Sequence, residues 1–121
     1  MTTAPAPTLY GIPNCDTVKK ARAWLTAQGV APQFHDWRKH GVPPQLADWA
    51  EALGWQALLN RRGLTWRRLG AEEQAAVSDA ASALALMRRE PAVIKRPVVV
   101  WGDGDVSVGF EPEAWARRLG R

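Results

Sequence analysis

The stretch that decides the fold reads Tyr10-Gly11-Ile12-Pro13-Asn14-Cys15-Asp16-Thr17-Val18-Lys19-Lys20. A short β-prone run passes through turn residues into a helical pattern, and Cys15, the only cysteine in the chain, stands where that helix should begin. Unpaired backbone N–H groups and the helix dipole favour negative charge at such a position. The cations that follow at Lys19, Lys20 and Arg22 add to this effect. Because the thiolate is the nucleophilic form of cysteine, we interpret the chain as organised around this sulfur.

Composition indicates one ordinary soluble domain. The chain has 121 residues, of which 46% are hydrophobic and 23% are charged. A chain of this length and composition can bury a hydrophobic core that is stable without disulfide bonds. No apolar run approaches the ~18 residues that a membrane-spanning helix needs. Residues 1–7 form a Thr/Ala/Pro-rich stretch that we expect to be a disordered tail and not a signal peptide. A single cysteine excludes an internal disulfide, which favours a cytoplasmic location.

The formal net charge of +4 comes mostly from arginine pairs dispersed along the chain. Because they are not clustered and no nucleic-acid motif accompanies them, we interpret most of them as solvated helix ends and do not expect nucleic-acid binding. The seven tryptophans are expected in the core or at its edge. His35 and His40 have no ligand cluster at metal spacing, so no metal site and no bound cofactor are predicted.

Hydrophobic periodicity predicts an α/β chain that forms a single domain over residues 8–121. The predicted strands are Thr8–Ile12, Gln33–Arg38, one within Val93–Trp101, and Val106–Phe110. Because proline cannot donate to a sheet ladder, Pro97 should stand at the start of the third strand and not inside it. The predicted helices are Cys15 or Asp16 to Gln28, Leu46–Leu53, Trp55–Asn60, Ala71–Val77, Ser78–Arg89 and Glu111–Leu119, with a loop at 61–65. The order is β-α-β, an all-helical insertion at about 43–90, then β-β-α. The first two strands should be parallel.

Four blocks of sequence carry a resemblance to a known family. They are Leu9-Tyr10-Gly11-Ile12-Pro13-Asn14-Cys15-Asp16-Thr17, Trp55-Gln56-Ala57-Leu58-Leu59-Asn60, Ile94-Lys95-Arg96-Pro97 and Gly109-Phe110. In this order they resemble the arsenate reductase (ArsC)/Spx family, in particular its YffB-like branch, over roughly residues 8–119. The resemblance implies an α/β thioredoxin-like fold with a helical insertion between its two halves. It also implies a catalytic cysteine at Cys15, used with glutathione and glutaredoxin-type reductants.

The resemblance further implies that Arg96 faces the thiol as an anion-binding residue and that the Arg96–Pro97 peptide bond is cis. Beside the sulfur, Asn14 and Thr17 are candidate substrate-binding residues. The Thr17 hydroxyl is a candidate donor to the thiolate, and the backbone N–H groups of residues 16–18 form a candidate anion nest. Lys19 either tunes the thiolate from one turn away or is simply a solvated helix residue.

Three positions depart from the family pattern. Asn60 stands where arsenate reductases carry an arginine, with Arg61 one place later either as its substitute or as a solvated loop residue. Gly109 and Phe110 stand near where another arginine is expected. A thiolate that attacks a charged oxyanion needs such cations, so the departures count against arsenate reduction. Val18 replaces the second cysteine of the C-x-x-C switch of Spx-type regulators.

The favoured hypothesis is therefore a glutathione-dependent thiol oxidoreductase. Its Cys15 thiolate would attack an oxidised thiol or a small oxyanion to form a covalent adduct, and glutathione as co-substrate, or a glutaredoxin, would release the product because the chain has no resolving cysteine. Two alternatives stay open. One is a glutaredoxin-coupled arsenate reductase. The other is a non-catalytic, Spx-like transcriptional regulator, for which RNA polymerase would be the partner.

Overall fold

The computed structural model describes residues 6–121. In chain order the elements are β1 (Thr8–Gly11), α1 (Asp16–Ala27), β2 (Gln33–Asp36), α2 (Trp37–His40), α3 (Leu46–Leu53), α4 (Trp55–Leu58), α5 (Leu64–Arg68), α6 (Ala71–Ala75), α7 (Ala80–Arg89), a 3-10 turn (Pro91–Val93), β3 (Val98–Val100), β4 (Val106–Val108) and α8 (Pro112–Arg118). They fall into two compact units, one built from the chain up to Asp36 together with Arg96–Arg121, the other from Trp37–Lys95. The predicted order of elements is confirmed.

The first unit contains the sheet, whose strand order is β2-β1-β3-β4. The parallel pairing predicted for the first two strands is confirmed, with Thr8 opposite Gln33 and Gly11 opposite Asp36. The other two pairings are antiparallel. The predicted hairpin therefore brings β3 beside β1, and β1 becomes a central strand of the sheet.

One apolar cluster packs the helices of this unit against the sheet. From α1, Val18, Ala21 and Leu25 are fully buried, as their helical spacing predicts. The aromatic part centres on Trp115 of α8, whose ring centroid lies 5.1 Å from that of Trp101. The cluster's buried members are Leu9, Val18, Ala21, Leu25, Val99, Trp101 and Trp115. Cys15 packs against this cluster, so the sulfur lies at the edge of the core.

The tryptophans occupy core and core-edge positions, as predicted. The buried ones are Trp37, Trp49, Trp101 and Trp115, and the partly buried ones are Trp24, Trp55 and Trp66.

The second unit is helical. Apolar side chains of α3 and α7, among them Leu46, Trp49 and Leu86, are buried, and α3 packs against α4 and α7. Asp79 caps α7 through a capping box: its carboxylate accepts from the Ser82 N–H at 2.9 Å, and the Ser82 hydroxyl accepts from the Asp79 N–H at 3.1 Å. The predicted insertion, 43–90, falls within this unit.

Several predicted element boundaries are wrong, for identifiable reasons. The second strand ends at Asp36 instead of Arg38, because its partner β1 ends at Gly11 and the next residues turn into α2. The returning strand ends at Val108 instead of Phe110, because Gly109 adopts a positive φ of 85° that breaks the extended backbone. The first helix ends near its predicted end, and Gly29, with φ of 76°, follows it.

Two further differences lie in the second unit and beside it. The predicted loop at 61–65 is helical from Leu64, because the Arg67 N–H donates to the Gly63 carbonyl and α5 follows. The third strand spans Val98–Val100, directly after Pro97, which confirms the prediction that this proline stands at the start of the strand and not inside it. Before it, Ile94 forms an isolated antiparallel bridge with Leu59, so this segment pairs with a different part of the chain. The helices predicted to end at Asn60 and Val77 end at Leu58 and Ala75.

The remaining differences are small. Helix α7 begins at Ala80 instead of Ser78, and α8 spans Pro112–Arg118. The tail predicted at 1–7 lies largely outside the described residues. Pro7, however, is buried, and its carbonyl accepts a hydrogen bond from the Gln33 N–H at 2.9 Å.

Candidate active site

Cys15 is the N-cap residue of α1. Its backbone is extended, with φ of −138° and ψ of 123°, and its carbonyl accepts the first helical hydrogen bond from the Lys19 N–H at 2.9 Å. This geometry turns the side chain back over the first turn, where helix N–H groups have no intrahelical partner. Cys15 is half-buried. A partly exposed cysteine can react, and its partial burial strengthens the effect of nearby charges on the thiol.

The surroundings favour the thiolate. Partial burial raises the pKa of Cys15, but opposing interactions outweigh it, and the net pKa lies below its ordinary value. The N–H of Val18 acts on the sulfur, the Arg96 guanidinium acts both as a donor and as a positive charge, and the Thr17 N–H adds a smaller contribution. Since Cys15 makes no conventional side-chain capping hydrogen bond, the backbone groups act as weak donors and partial charges.

Arg96 reaches this position because of the residues that surround it. The Arg96–Pro97 peptide bond is cis, as the resemblance implies. Pro97 is buried immediately before β3, and its carbonyl accepts a hydrogen bond from the Gly109 N–H at 2.9 Å. The Nε atom of Arg96 is itself buried. Arg96 is thus positioned by the backbone at the start of β3, and its side chain is partly buried.

Gly11, the last residue of β1, makes room for these groups. A Cβ atom on it would lie 3.0 Å from Cγ2 of Val18 and 3.8 Å from Cβ of Arg96. The strand therefore approaches both residues that act most strongly to lower the Cys15 pKa. The sequence predicts Gly11 only as a residue at the end of a strand, and no sequence pattern indicates this close approach.

The other predicted site residues of this unit differ in their exposure and in their effect on the Cys15 sulfur. Asn14 is exposed in the bend before Cys15, and at Thr17 the backbone N–H, not the hydroxyl, acts on the sulfur. Lys19 is exposed, and the lowering of the Cys15 pKa comes from the Val18, Arg96 and Thr17 groups rather than from its ammonium. The role of Lys19 as a tuning residue stays a prediction.

Asn60 and Arg61 belong to the second unit. The Asn60 N–H donates to the Val93 carbonyl at 2.7 Å, and its side-chain oxygen accepts from the Arg62 N–H at 3.2 Å. Arg61 is exposed, and its guanidinium carbon lies 5.8 Å from the ring centroids of both Trp55 and Trp66. Their role in binding a substrate of Cys15 stays a prediction.

Within residues 6–121 no cluster of three or more His, Cys, Asp or Glu side chains is arranged to hold a metal ion. No helix in that same range combines the length and the apolar character needed to cross a membrane.

Fold and site together define the class: a thioredoxin-like protein with a single cysteine at the N-cap of its first helix. Comparison with known proteins gives the family. The ArsC family model matches residues 10–118. The chain belongs to the ArsC family.

Three relatives show how far the similarity extends. The solved structure of the YFFB protein is 43% identical, covers 94% of this chain and 99% of its own, and superposes with a TM-score of 0.86. The structure of an arsenate reductase (ArsC) related protein from Brucella melitensis is 40% identical, covers 100% of both chains and has a TM-score of 0.76. An uncharacterized protein of Haemophilus influenzae is 40% identical over 110 residues, 89% of this chain and 94% of its own.

Proposed function

We propose that this protein is a glutathione-dependent thiol oxidoreductase that uses Cys15 as its nucleophile. The observation that carries the proposal is the surroundings of the sulfur: the Val18 N–H and the Arg96 guanidinium lower the Cys15 pKa against the effect of burial. A half-buried cysteine that only filled space would have no such donors, and its pKa would be raised by burial. We assign the activity to a reducing, cytoplasmic setting, where a lone thiol stays reduced.

The reaction balances with glutathione as the only co-reactant. The Cys15 thiolate attacks the glutathione sulfur of a mixed disulfide, the substrate S–S bond breaks, and the substrate leaves as a thiolate that takes up a proton. The product is a Cys15–glutathione disulfide. A second glutathione thiolate attacks its glutathione sulfur, which releases oxidised glutathione and regenerates Cys15. Since the chain has one cysteine, this second thiol must come from outside.

Arg96 has two roles in this scheme. Its positive charge stabilises the Cys15 thiolate before attack and again when Cys15 leaves. Its planar guanidinium also suits the carboxylates of glutathione, which arginine binds through paired hydrogen bonds. A lysine would supply the charge but not the paired geometry.

Intact-mass analysis after exposure to oxidised glutathione tests the proposal. We expect one glutathionyl adduct on the wild-type protein, none on Cys15→Ser, and loss of the adduct on addition of reduced glutathione. If the thiol reacts with iodoacetamide but forms no glutathione adduct, the glutathione proposal is wrong while the thiolate is real. If it reacts slowly even with iodoacetamide and titrates near its ordinary value, a non-enzymatic role is favoured.

Arsenate reduction is a second candidate, because the similar Brucella melitensis protein is described as related to arsenate reductase. The site counts against it. Near where the family places an arginine, Gly109 has no side chain, and Phe110 packs its ring 4.9 Å from that of Trp115. Neither offers a charge to an oxyanion. Arsenate-dependent oxidation in a coupled glutathione and glutaredoxin assay, lost in Cys15→Ser, would reverse this ranking.

A further inference from the structure

A segment of the second unit is strongly and purely basic. Residues 52–71 contain four arginines and no aspartate or glutamate. All four arginine side chains are exposed: Arg61, Arg62, Arg67 and Arg68. The first carboxylates after them, Glu72 and Glu73, belong to α6, and over residues 52–73 the four arginines exceed these two glutamates, which leaves a locally positive surface.

An apolar side chain lies among these cations. Leu64, the first residue of α5, is 55% exposed, and no other large hydrophobic side chain is as open in the described part of the chain. Because helix positions three and four apart share a face, Leu64 lies on the same side of α5 as Arg67 and Arg68. A single exposed leucine needs no explanation by itself, but a leucine bordered by cations is the arrangement of an interface anchor inside a charged rim.

Hydrogen bonds and a close contact link the residues of the loop before α5. The Arg62 N–H donates to the Asn60 side chain, and the Arg67 N–H donates to the Gly63 carbonyl at 3.2 Å. Gly63 approaches Asn60 so closely that an added Cβ would lie 2.8 Å from its amide nitrogen. Binding to such a surface costs little ordering of the backbone, which favours a recognition role.

The same loop borders a groove of about 460 Å³. The bridge between Leu59 and Ile94, with the Lys95 N–H donating to the Leu58 carbonyl at 2.7 Å, brings Lys95 to the same groove. The groove is lined by Gln56, Leu59, Asn60, Arg61, Arg62 and Lys95, thus by three cations, two side-chain amides and no carboxylate.

We propose that Arg61, Arg62, Leu64, Arg67 and Arg68, here named the arginine surface, form a docking site for an acidic polypeptide segment. Carboxylates of the segment pair with the arginines and reach into the groove, and an apolar side chain of the segment covers Leu64. Charge complementarity of this kind sets the partner and speeds encounter. The surface belongs to the second unit, and the proposal does not depend on the chemistry of Cys15.

Nucleic acid fits the surface less well. Binding of single strands relies on aromatic rings with open faces on which bases stack. Trp55 and Trp66 are half-buried, and the Arg61 guanidinium lies over both. A phosphate backbone would also offer no apolar group to cover Leu64, whereas an apolar side chain of a peptide can bury it.

Fluorescence anisotropy with the full chain tests the proposal. The probe is a labelled short peptide that carries a leucine between pairs of glutamates, and its matched control has glutamine in place of glutamate. We expect salt-sensitive binding of the acidic peptide only. Binding should fall about three- to tenfold in the double variant Arg67→Gln, Arg68→Gln, and it should also fall in Leu64→Ser.

The pair Arg88 and Arg89 at the end of α7 provides a matched control, because it is equally exposed and its neutralisation changes the net charge by the same amount. Arg88→Gln, Arg89→Gln should bind as the wild type does. Equal losses in the two double variants would reduce the effect to net charge and overturn the proposal. So would the absence of peptide binding, or displacement of the peptide by an oligothymidine. Circular dichroism confirms that each variant is folded.

Discussion

Replacement of Gly11 by alanine should both lower the free energy of unfolding and raise the Cys15 pKa. The new Cβ would lie 3.0 Å from Cγ2 of Val18, whereas carbon atoms in contact prefer about 3.5–4.0 Å. Val18 is fully buried among the members of the apolar cluster and has little room to move. Overpacking of this kind costs about 1–3 kcal/mol.

An opposing effect reduces this cost. Alanine restricts the unfolded chain more than glycine does, which stabilises a protein by about 0.4–1 kcal/mol where the backbone is compatible, and Gly11 is not among the glycines with positive φ. The expected net loss in the free energy of unfolding is about 1–2 kcal/mol. Since the added Cβ crowds Val18, whose N–H lowers the Cys15 pKa, the perturbation of this residue should let that pKa rise toward its ordinary value.

Two measurements check this prediction. Urea unfolding, followed by tryptophan fluorescence, gives the change in stability, and ultraviolet absorbance of the thiolate against pH gives the pKa. Gly70→Ala is the control, because the nearest atom to its added Cβ is Glu73 Oε1 at 3.9 Å, an ordinary contact. It should leave the Cys15 pKa unchanged.

A second background isolates the cause. Val18→Ala removes both methyl groups that a Cβ on Gly11 would meet, so Gly11→Ala added to it should no longer destabilise and should instead stabilise by about 0.4–1 kcal/mol. An equal loss of stability in both backgrounds would refute the proposed contact. Wild-type stability and an unchanged titration in Gly11→Ala would refute the whole argument.

Two further predictions concern the same sulfur. Arg96→Gln should raise the Cys15 pKa and slow its alkylation at neutral pH, because the positive charge is lost, while Lys19→Gln should change neither; equal effects of the two substitutions would contradict the assignment. The stability difference between the wild type and Cys15→Ser should depend on pH. Because the folded-state pKa of Cys15 is lowered, the contribution of the thiolate is full above the unfolded-state pKa and is lost as the pH falls through the folded-state value. Denaturant unfolding across that window should show the difference growing with pH, and a flat or falling difference would contradict a native thiolate.

Much of this protein follows from local sequence. The 3.6-residue spacing of Val18, Ala21 and Leu25 determines the buried face of α1, and the helix begins next to Cys15 because the turn residues before it end the strand. The parallel first pair and the hairpin follow from connection lengths, and the sequence places the only cysteine at a helix N-terminus. Such features depend on neighbours in the chain, so periodicity and turn chemistry reveal them.

Tertiary structure decided which groups meet that sulfur. Gly11 lies near Cys15 in sequence and Arg96 far from it, yet both approach the same first turn of α1, because β3 pairs beside β1. The ending of β2 at Asp36 and the pairing of Ile94 with Leu59 likewise depend on partners distant in the chain. Since these contacts are set by packing between segments, no local pattern encodes them. The sequence alone determined a cysteine at a helix start, beside the N–H groups of that helix's first turn, and only the fold brought Arg96 to the same sulfur.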